Sequence, residues 1–222
     1  MRVLIFGASG MVGQGVLREC MEAKDVETVT VIVRSPLPEC HNRLNQVVTD
    51  DVIAPLADLN AAEKWDACFF CLGVSASGLP EEEYGRITFK LTLDVASHLV
   101  QLDPDITFIY VSGAGTDSSE EVKSMWARVK GKTENSLLRL GFTSAQMFRP
   151  AVIWPLDGIR SKTTVYRVFY TILSPFFPLL KRLFPDSIVT TKEMGKAMLN
   201  AVRYGCVKSV LEKEAICLLA KK

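Results

Sequence analysis

Hydrophobic and polar positions in the first twenty residues divide into a strand, a turn and a helix. Val3, Leu4, Ile5 and Phe6 form an apolar run that stops at Gly7, and an amphipathic pattern resumes at Met11 and continues through Val12, Val16 and Leu17. A short apolar run closed by glycine predicts a buried strand, and apolar residues one turn apart predict a helix. The alternation then repeats. Val29 to Val33 is a second β-branched run, Gln46 to Val48 a short third and Ala67 to Leu72 a fourth, with a helix-like stretch from Pro55 to Trp65 ahead of it. From Glu81 to Leu102 an apolar stripe through Ile87, Leu91, Val95 and Leu99 predicts a helix that Pro104 ends. Ile106 to Val111 and Thr143 to Phe148 are further strands, Met194 to Tyr204 is an amphipathic helix, and Ser209 to Leu211 with Ile216 to Leu219 complete the pattern. Alternating βα units with strands apolar along their whole length predict a parallel sheet covered on both faces. The expected class is therefore α/β, a doubly wound (Rossmann) sheet with a small C-terminal, substrate-side elaboration. No repeat, low-complexity stretch or linker divides the 222 residues, so residues 1–222 are expected to form one domain, with 154–190 as a lid or substrate-side segment.

The first turn carries the clearest chemistry. Glycines at positions 7, 10 and 13 fall at its first, fourth and seventh places. Gly7 suits the positive φ where the chain leaves the strand, Gly10 lets a diphosphate approach the backbone, and Gly13 lets the helix press on the sheet. The unpaired N–H groups of the helix's first turn, at Gly10, Met11 and Val12, with the positive end of its dipole, then face an anion, and Ser9 adds a hydroxyl donor. In such a fold the residue just past the second strand meets the adenosine ribose: an acid bonds a free 2′-hydroxyl, a base accommodates a 2′-phosphate. Here that residue is Arg34, with Ser35 beside it, 21 residues after Gly13. This favours NADP over NAD. Asp50 and Asp51 close the third strand, where a carboxylate either accepts from the adenine amino group or caps the following turn. Leu72 and Gly73 end the fourth strand on the ligand-binding edge, ahead of a small loop, Val74 to Gly78.

Composition narrows the partners. Twenty-six Lys and Arg against twenty-five Asp and Glu leave a formal charge of +1, so no global field draws in nucleic acid. Six cysteines without framework spacing, and no leader ahead of the first strand, suggest a reduced, cytoplasmic protein. Cys68 and Cys71 lie three apart in a strand, on opposite faces, which favours two core thiols over a redox or zinc pair. The two histidines, His41 and His98, have no paired ligand spacing, so no metal site is expected.

Taken together and in order, Gly7-Ala8-Ser9-Gly10-Met11-Val12-Gly13, Cys71-Leu72-Gly73, Val111-Ser112, Val129-Lys130-Gly131-Lys132-Thr133-Glu134 and Phe148-Arg149-Pro150 resemble the atypical short-chain dehydrogenase/reductases with an extended-type turn. The likeness is greatest to their Tat-interacting-protein-like, NAD(P)-dependent epimerase-like branch, and a weaker similarity continues through Val189-Thr190-Thr191-Lys192-Glu193-Met194-Gly195. The resemblance implies a site built from a Tyr-x-x-x-Lys pair on a helix and a Ser or Thr at the preceding strand's end. The tyrosine would exchange a proton with the substrate oxygen, and the lysine would lower its pKa and hold the nicotinamide ribose. Lys130 fits the lysine and Ser112, after Val111, the hydroxyl, but the tyrosine position is Trp126. An indole N–H does not ionise in the relevant range and cannot accept, so Trp126 cannot serve as the acid or base. The resemblance also implies that the backbone at Pro150 and Val152 approaches the nicotinamide carboxamide, with Arg149 free to form a structural ion pair.

Between Asp157 and Asp186 lie five bases and no acids, together with Tyr166, Phe169, Tyr170, Phe176, Phe177 and Phe184. Arg167, Pro175, Pro178 and Lys181 interrupt this stretch, so it holds no uncharged run of the roughly 20 residues that a membrane span requires. It is expected to wall the substrate pocket, for an apolar or anionic small molecule, or else to contact an anionic membrane surface or a protein partner. Two functions follow from the residues and the resemblance. One is an NADP(H)-dependent oxidoreductase or epimerase with a substituted site. The alternative is a non-catalytic dinucleotide-binding regulator.

Overall fold

The computed structural model describes residues 1–59, 64–159, 177–183 and 187–222. Seven parallel strands form the main sheet: β1 (Arg2–Phe6), β2 (Thr28–Val33), β3 (Leu44–Val48), β4 (Ala67–Phe70), β5 (Thr107–Val111), β6 (Ala145–Arg149) and β9 (Val210–Glu212). Their order across the sheet is β3-β2-β1-β4-β5-β6-β9, so the direction of winding reverses between β1 and β4, the doubly wound arrangement. β7 (Val152–Trp154) and β8 (Ile188–Thr190) pair in parallel as a separate ribbon. The helices are α1 (Met11–Glu22), α2 (Glu81–Gly85), α3 (Leu91–Leu102), α4 (Met125–Arg139), α5 (Phe177–Leu183), α6 (Thr191–Tyr204) and α7 (Lys213–Leu219).

Strand alternation sorts the core into two layers. Val3 and Ile5 of β1 face α1 and α6 through Val16, Leu17, Met194 and Met198, whereas Leu4 and Phe6 face α3 and α4 through Val95, Leu99 and Leu137. On the second face aromatic rings run across the strands, Phe6 on Phe70 at 5.5 Å, Phe70 on Phe108 at 6.0 Å and Phe108 on Phe142 at 5.1 Å. Cys68 and Cys71 divide between the two layers as free thiols, and burial pushes the Cys71 thiol up to about 12 and that of Cys68 well above its ordinary value. Burial thus favours the neutral thiol at both positions.

Some predicted boundaries move. β4 ends at Phe70 rather than Leu72, because the backbone turns aside at the crossing with Gly7, where a Cβ on Gly7 would lie 2.6 Å from the Leu72 nitrogen. The helix-like stretch from Pro55 is one 3₁₀ turn, Ala54–Asp58, and residues 60–63 lie outside the described residues. The predicted helix from Glu81 to Leu102 contains a π-helical turn at Arg86–Lys90. The expected lid or substrate-side segment, 154–190, falls largely on residues 160–176 and 184–186, outside the described residues. Its described part stacks Trp154 on Phe177 at 5.3 Å and joins Lys181 to Glu193.

α6 begins at a capping box: the Glu193 amide donates to Thr190 Oγ1 at 3.0 Å and the Thr190 amide to Glu193 Oε2 at 2.8 Å. Two glycines then bring α6 against α1. A Cβ on Gly15 would meet the Thr191 carbonyl oxygen at 2.6 Å, and one on Gly195 the Glu19 side chain at 2.6 Å. Glu19 is buried between these helices, and burial raises its carboxyl above the ordinary range even though Lys192 pulls the other way.

Candidate functional site

Three adjoining cavities run along the carboxyl ends of the strands, the edge on which doubly wound sheets bind ligands. The central one, about 760 Å³, has the Gly7–Met11 turn as its floor, Ile32 to Arg34 and Asp50 to Val52 on one side, and Cys71 to Val74 on the other. An outer cavity of about 580 Å³ shares Ser9, Arg34 and Asp50 with it and extends over Ser35 to Glu39 and Gln14. An inner cavity of about 350 Å³ shares Val74 and is lined by Ser112, Trp126, Lys130 and Pro150, among others.

The turn is shaped by close backbone approach. Gly7 has φ +78°, the Gly10 amide donates to the Gly7 carbonyl at 2.9 Å, and a Cβ on Gly13 would lie 2.1 Å from that same oxygen. Any side chain at Gly13 would displace α1 from the strand, and with it the first-turn amides that face the central cavity. Arg34, exposed at the end of β2, lines both central and outer cavities and forms no ion pair among the described residues. The loop after it is held by one side chain of β3: Gln46 accepts from the Leu37 amide at 2.8 Å and donates to the carbonyls of Leu37 and Glu39 at 3.3 and 3.0 Å. Asp51 lines the central cavity and also caps the following turn, accepting from the Ile53 amide at 2.9 Å.

In the inner cavity β5 presents Ser112, whose hydroxyl donates to the Phe148 carbonyl of β6 at 3.1 Å. The Lys130 ammonium donates to the Ser112 carbonyl, and burial lowers its pKa to about 8 against the opposing pull of Glu134 one turn along α4. Glu134, itself 1% exposed, is engaged by Arg149, which reaches its two carboxylate oxygens through Nε at 3.1 and 3.2 Å and also contacts Glu212 at 3.0 Å and Ser118 at 2.6 Å. Arg149 is thus a structural ion pair that ties β6 to α4 and to the end of β9. Trp126, half-buried in the first turn of α4, brings its ring to 3.3 Å from where a Cβ on Gly115 would lie, and Gly115 has φ +86°. Arg128 donates to both Glu81 oxygens, at 3.0 and 2.8 Å, joining α4 to α2.

Of the residues expected from the sequence, Gly7, Ser9, Gly10, Met11, Arg34, Asp51, Leu72 and Gly73 gather at the central cavity, Ser35 at the outer one, and Ser112, Trp126, Lys130 and Pro150 at the inner one. Val12, Gly13, Val111 and Val152 stand outside these walls. Val12 and Val111 pack on the core and Gly13 on the Gly7 backbone, while the Val152 amide donates to the Ser187 carbonyl at 3.3 Å within the β7–β8 ribbon. The sequence reading missed Arg86, Ile87 and Leu91, which the π-helical turn brings to the central cavity, and the place of Tyr84 in the wall of the inner one. Ile87 and Leu91 are spaced four apart on a helix, a signal that these positions share a face; Arg86 had none. Among the described residues no group of three His, Cys, Asp or Glu side chains is arranged to hold a metal, and no helix is long and apolar enough to cross a membrane.

A model of the NAD dependent epimerase/dehydratase family matches residues 3–123. Protein HTATIP2 of Rattus norvegicus is 30% identical over 158 residues, covering 68% of this chain and 62% of the rat protein, so the match spans less than two thirds of that relative. The mitochondrial protein FMP52 of Debaryomyces hansenii is 25% identical over 156 residues, 69% of this chain and 67% of that protein. Among solved structures, the Bordetella bronchiseptica enzyme WbmF in complex with NAD+ has a TM-score of 0.68 at 15% identity, over 99% of this chain and 76% of that one, which is a likeness of fold. With matched residues running from the first strand to the approach to α4, the chain belongs to the NAD dependent epimerase/dehydratase family.

Proposed function

We propose that the chain binds NADP(H) along this edge and acts as an oxidoreductase or epimerase on a small apolar or anionic organic substrate, with Trp126 where related sites have tyrosine. The observation that carries the reading is the run of adjoining cavities, from Arg34 and Ser35 past the glycine turn to Ser112 and Lys130. In this reading the turn's remaining amides hold the diphosphate, that of Gly10, expected from the sequence to be open, being given to the Gly7 carbonyl instead; Arg34 and Ser35 meet the 2′-phosphate, and Lys130 and the backbone at Pro150 orient the nicotinamide end. The bound dinucleotide supplies or accepts hydride there. Asp50 shares two of the walls with Arg34, and a carboxylate suits a free ribose hydroxyl, so titration of the two cofactors decides between them. Calorimetry is expected to give NADPH at least about tenfold tighter binding than NADH, roughly 1.4 kcal/mol, and Arg34→Ser is expected to erase the difference. Equal affinities in the native chain would overturn the NADP assignment. The free thiols of all six cysteines support a reducing compartment, for which we propose the cytoplasm.

A second reading, a non-catalytic dinucleotide-binding regulator, is favoured by Trp126 itself. It gains if NADPH binds but neither the native chain nor Trp126→Tyr reduces any of a panel of carbonyl compounds. A role for 157–186 in contacting a protein partner or an anionic membrane belongs to the same proposal, and co-sedimentation with anionic vesicles tests the membrane arm.

A further inference from the structure

Two titratable side chains stand among the described lining residues of the inner cavity, Tyr84 and Lys130. Trp126 neither ionises nor accepts a proton in the relevant range, and the Ser112 hydroxyl is donated to the Phe148 carbonyl. Lys130 is placed differently. Its bond to the Ser112 carbonyl uses one of three N–H groups, leaving two for the cavity that it lines.

Glu134 acts on Lys130 from its own helix and is held by Arg149 of β6, which also reaches Glu212 at the end of β9; Tyr84 of α2 shares the cavity wall with Lys130, and Tyr110 of β5 faces Tyr84 and Glu134. Arg149 occupies Glu134, so the carboxylate nearest to Lys130 is committed elsewhere, and Lys130 has no ion-pair partner among the described residues. An ammonium partly withdrawn from water without a counter-ion gives up its proton more readily, and here desolvation brings it to about 8, close to the range in which a general acid works best.

We propose that Lys130 is the proton donor of this site, its Nζ passing a proton to the substrate oxygen that the indole at position 126 cannot serve. The inference rests on the dinucleotide-binding reading. In the reductive direction a bound reduced nicotinamide dinucleotide would supply hydride to the carbonyl carbon, and the C=O π pair would move onto oxygen. The Lys130 N–H bond then breaks and its proton joins that oxygen. The products are an alcohol, the oxidised dinucleotide and a neutral amine, which water reprotonates.

The first test needs no cofactor: trace acetylation of the free chain across pH, read on the Lys130 peptide by mass spectrometry, is expected to show half-maximal reactivity near pH 8. A midpoint at the ordinary lysine value near 10.5 overturns the proposal. The second test follows carbonyl reduction with NADPH, binding being measured separately by calorimetry. The rate is expected to be level below about pH 8 and to fall above it as the ammonium is lost. Lys130→Arg keeps a cation but no exchangeable proton in this range, and it is expected to lose about 10²-fold or more in rate. Tyr84→Phe is expected to retain the alkaline limb whatever its rate. Full activity in Lys130→Arg, an alkaline limb that vanishes with Tyr84→Phe, or a native chain that binds NADPH yet reduces no carbonyl would each overturn the proposal. Failure of the native chain to bind NADPH or NADH would instead overturn the reading beneath it.

Discussion

A methyl group at Gly13 would sit 2.1 Å from a carbonyl oxygen of the preceding strand's exit, a contact that only backbone movement can relieve. Gly10 is less constrained, since a Cβ there would lie 3.2 Å from the same oxygen. Gly13→Ala is therefore expected to cost about 1–3 kcal/mol of stability through overpacking and to weaken NADPH binding as well, because the displaced amides belong to the cradle. Chemical denaturation with parallel calorimetry checks both, and a variant that loses stability but keeps its affinity would detach the glycine from ligand binding. At this scale the sequence pointed to the glycines, Arg34, Ser112 and Lys130, and in the fold Gly7, Gly10, Arg34, Ser112 and Lys130 line the adjoining cavities. It did not reveal that Arg149 neutralises Glu134 and so leaves Lys130 unpaired, since the three residues come from α4 and β6 and meet only after the sheet has formed.

Among the elements, the loop between β5 and α4 depends on one carboxylate. Asp117 accepts from the amides of Val122, Ser119 and Glu121 and from the Ser119 hydroxyl, and these bonds, led by that of Val122, hold its carboxyl down at about 2. The loop is pressed onto α4 at Gly131, where a Cβ would lie 1.7 Å from the Asp117 carbonyl oxygen. A carboxyl with a depressed value binds protons less readily in the folded chain than in the unfolded one. Its support is complete above the ordinary range near pH 4 and is lost as pH falls through about 2. Hydrogen exchange is expected to show the amides of residues 119–122 opening several-fold faster in Asp117→Asn, and native amides with unchanged opening between pH 4 and 2 would count against it. The alternation of strands and helices was legible because the central strands β1, β2, β4 and β5 are buried on both sides. The π-helical turn was not: its residues fit a regular helix in sequence, and the change of pitch arises where Arg86 to Lys90 pack against α4. The β7–β8 ribbon was also missed, because three-residue strands carry too little alternation to read.

For the whole molecule, the parallel, doubly wound sheet is the class that the sequence suggests, and the cavities lie along the carboxyl ends of its strands. A ligand that occupies an edge shared by so many elements stabilises the fold as a unit. At a hundredfold excess over its dissociation constant, NADPH is expected to contribute about 2.7 kcal/mol, which for a chain of this size raises the melting temperature by roughly 5–10 °C. A thermal scan with NADPH, NADH and neither checks this, and coincident curves would speak against a dinucleotide site.

The contact of Gly15 with Thr191 and of Gly195 with Glu19 has a consequence for the order in which the chain can be completed. The helix that leaves the nucleotide turn has as its lateral support a helix encoded more than 170 residues later. During synthesis the first βα unit therefore emerges without its partner and acquires its final seat only when the last helices have left the ribosome. A product cut short before residue 190 keeps every glycine of the turn yet lacks the surface against which that turn is braced.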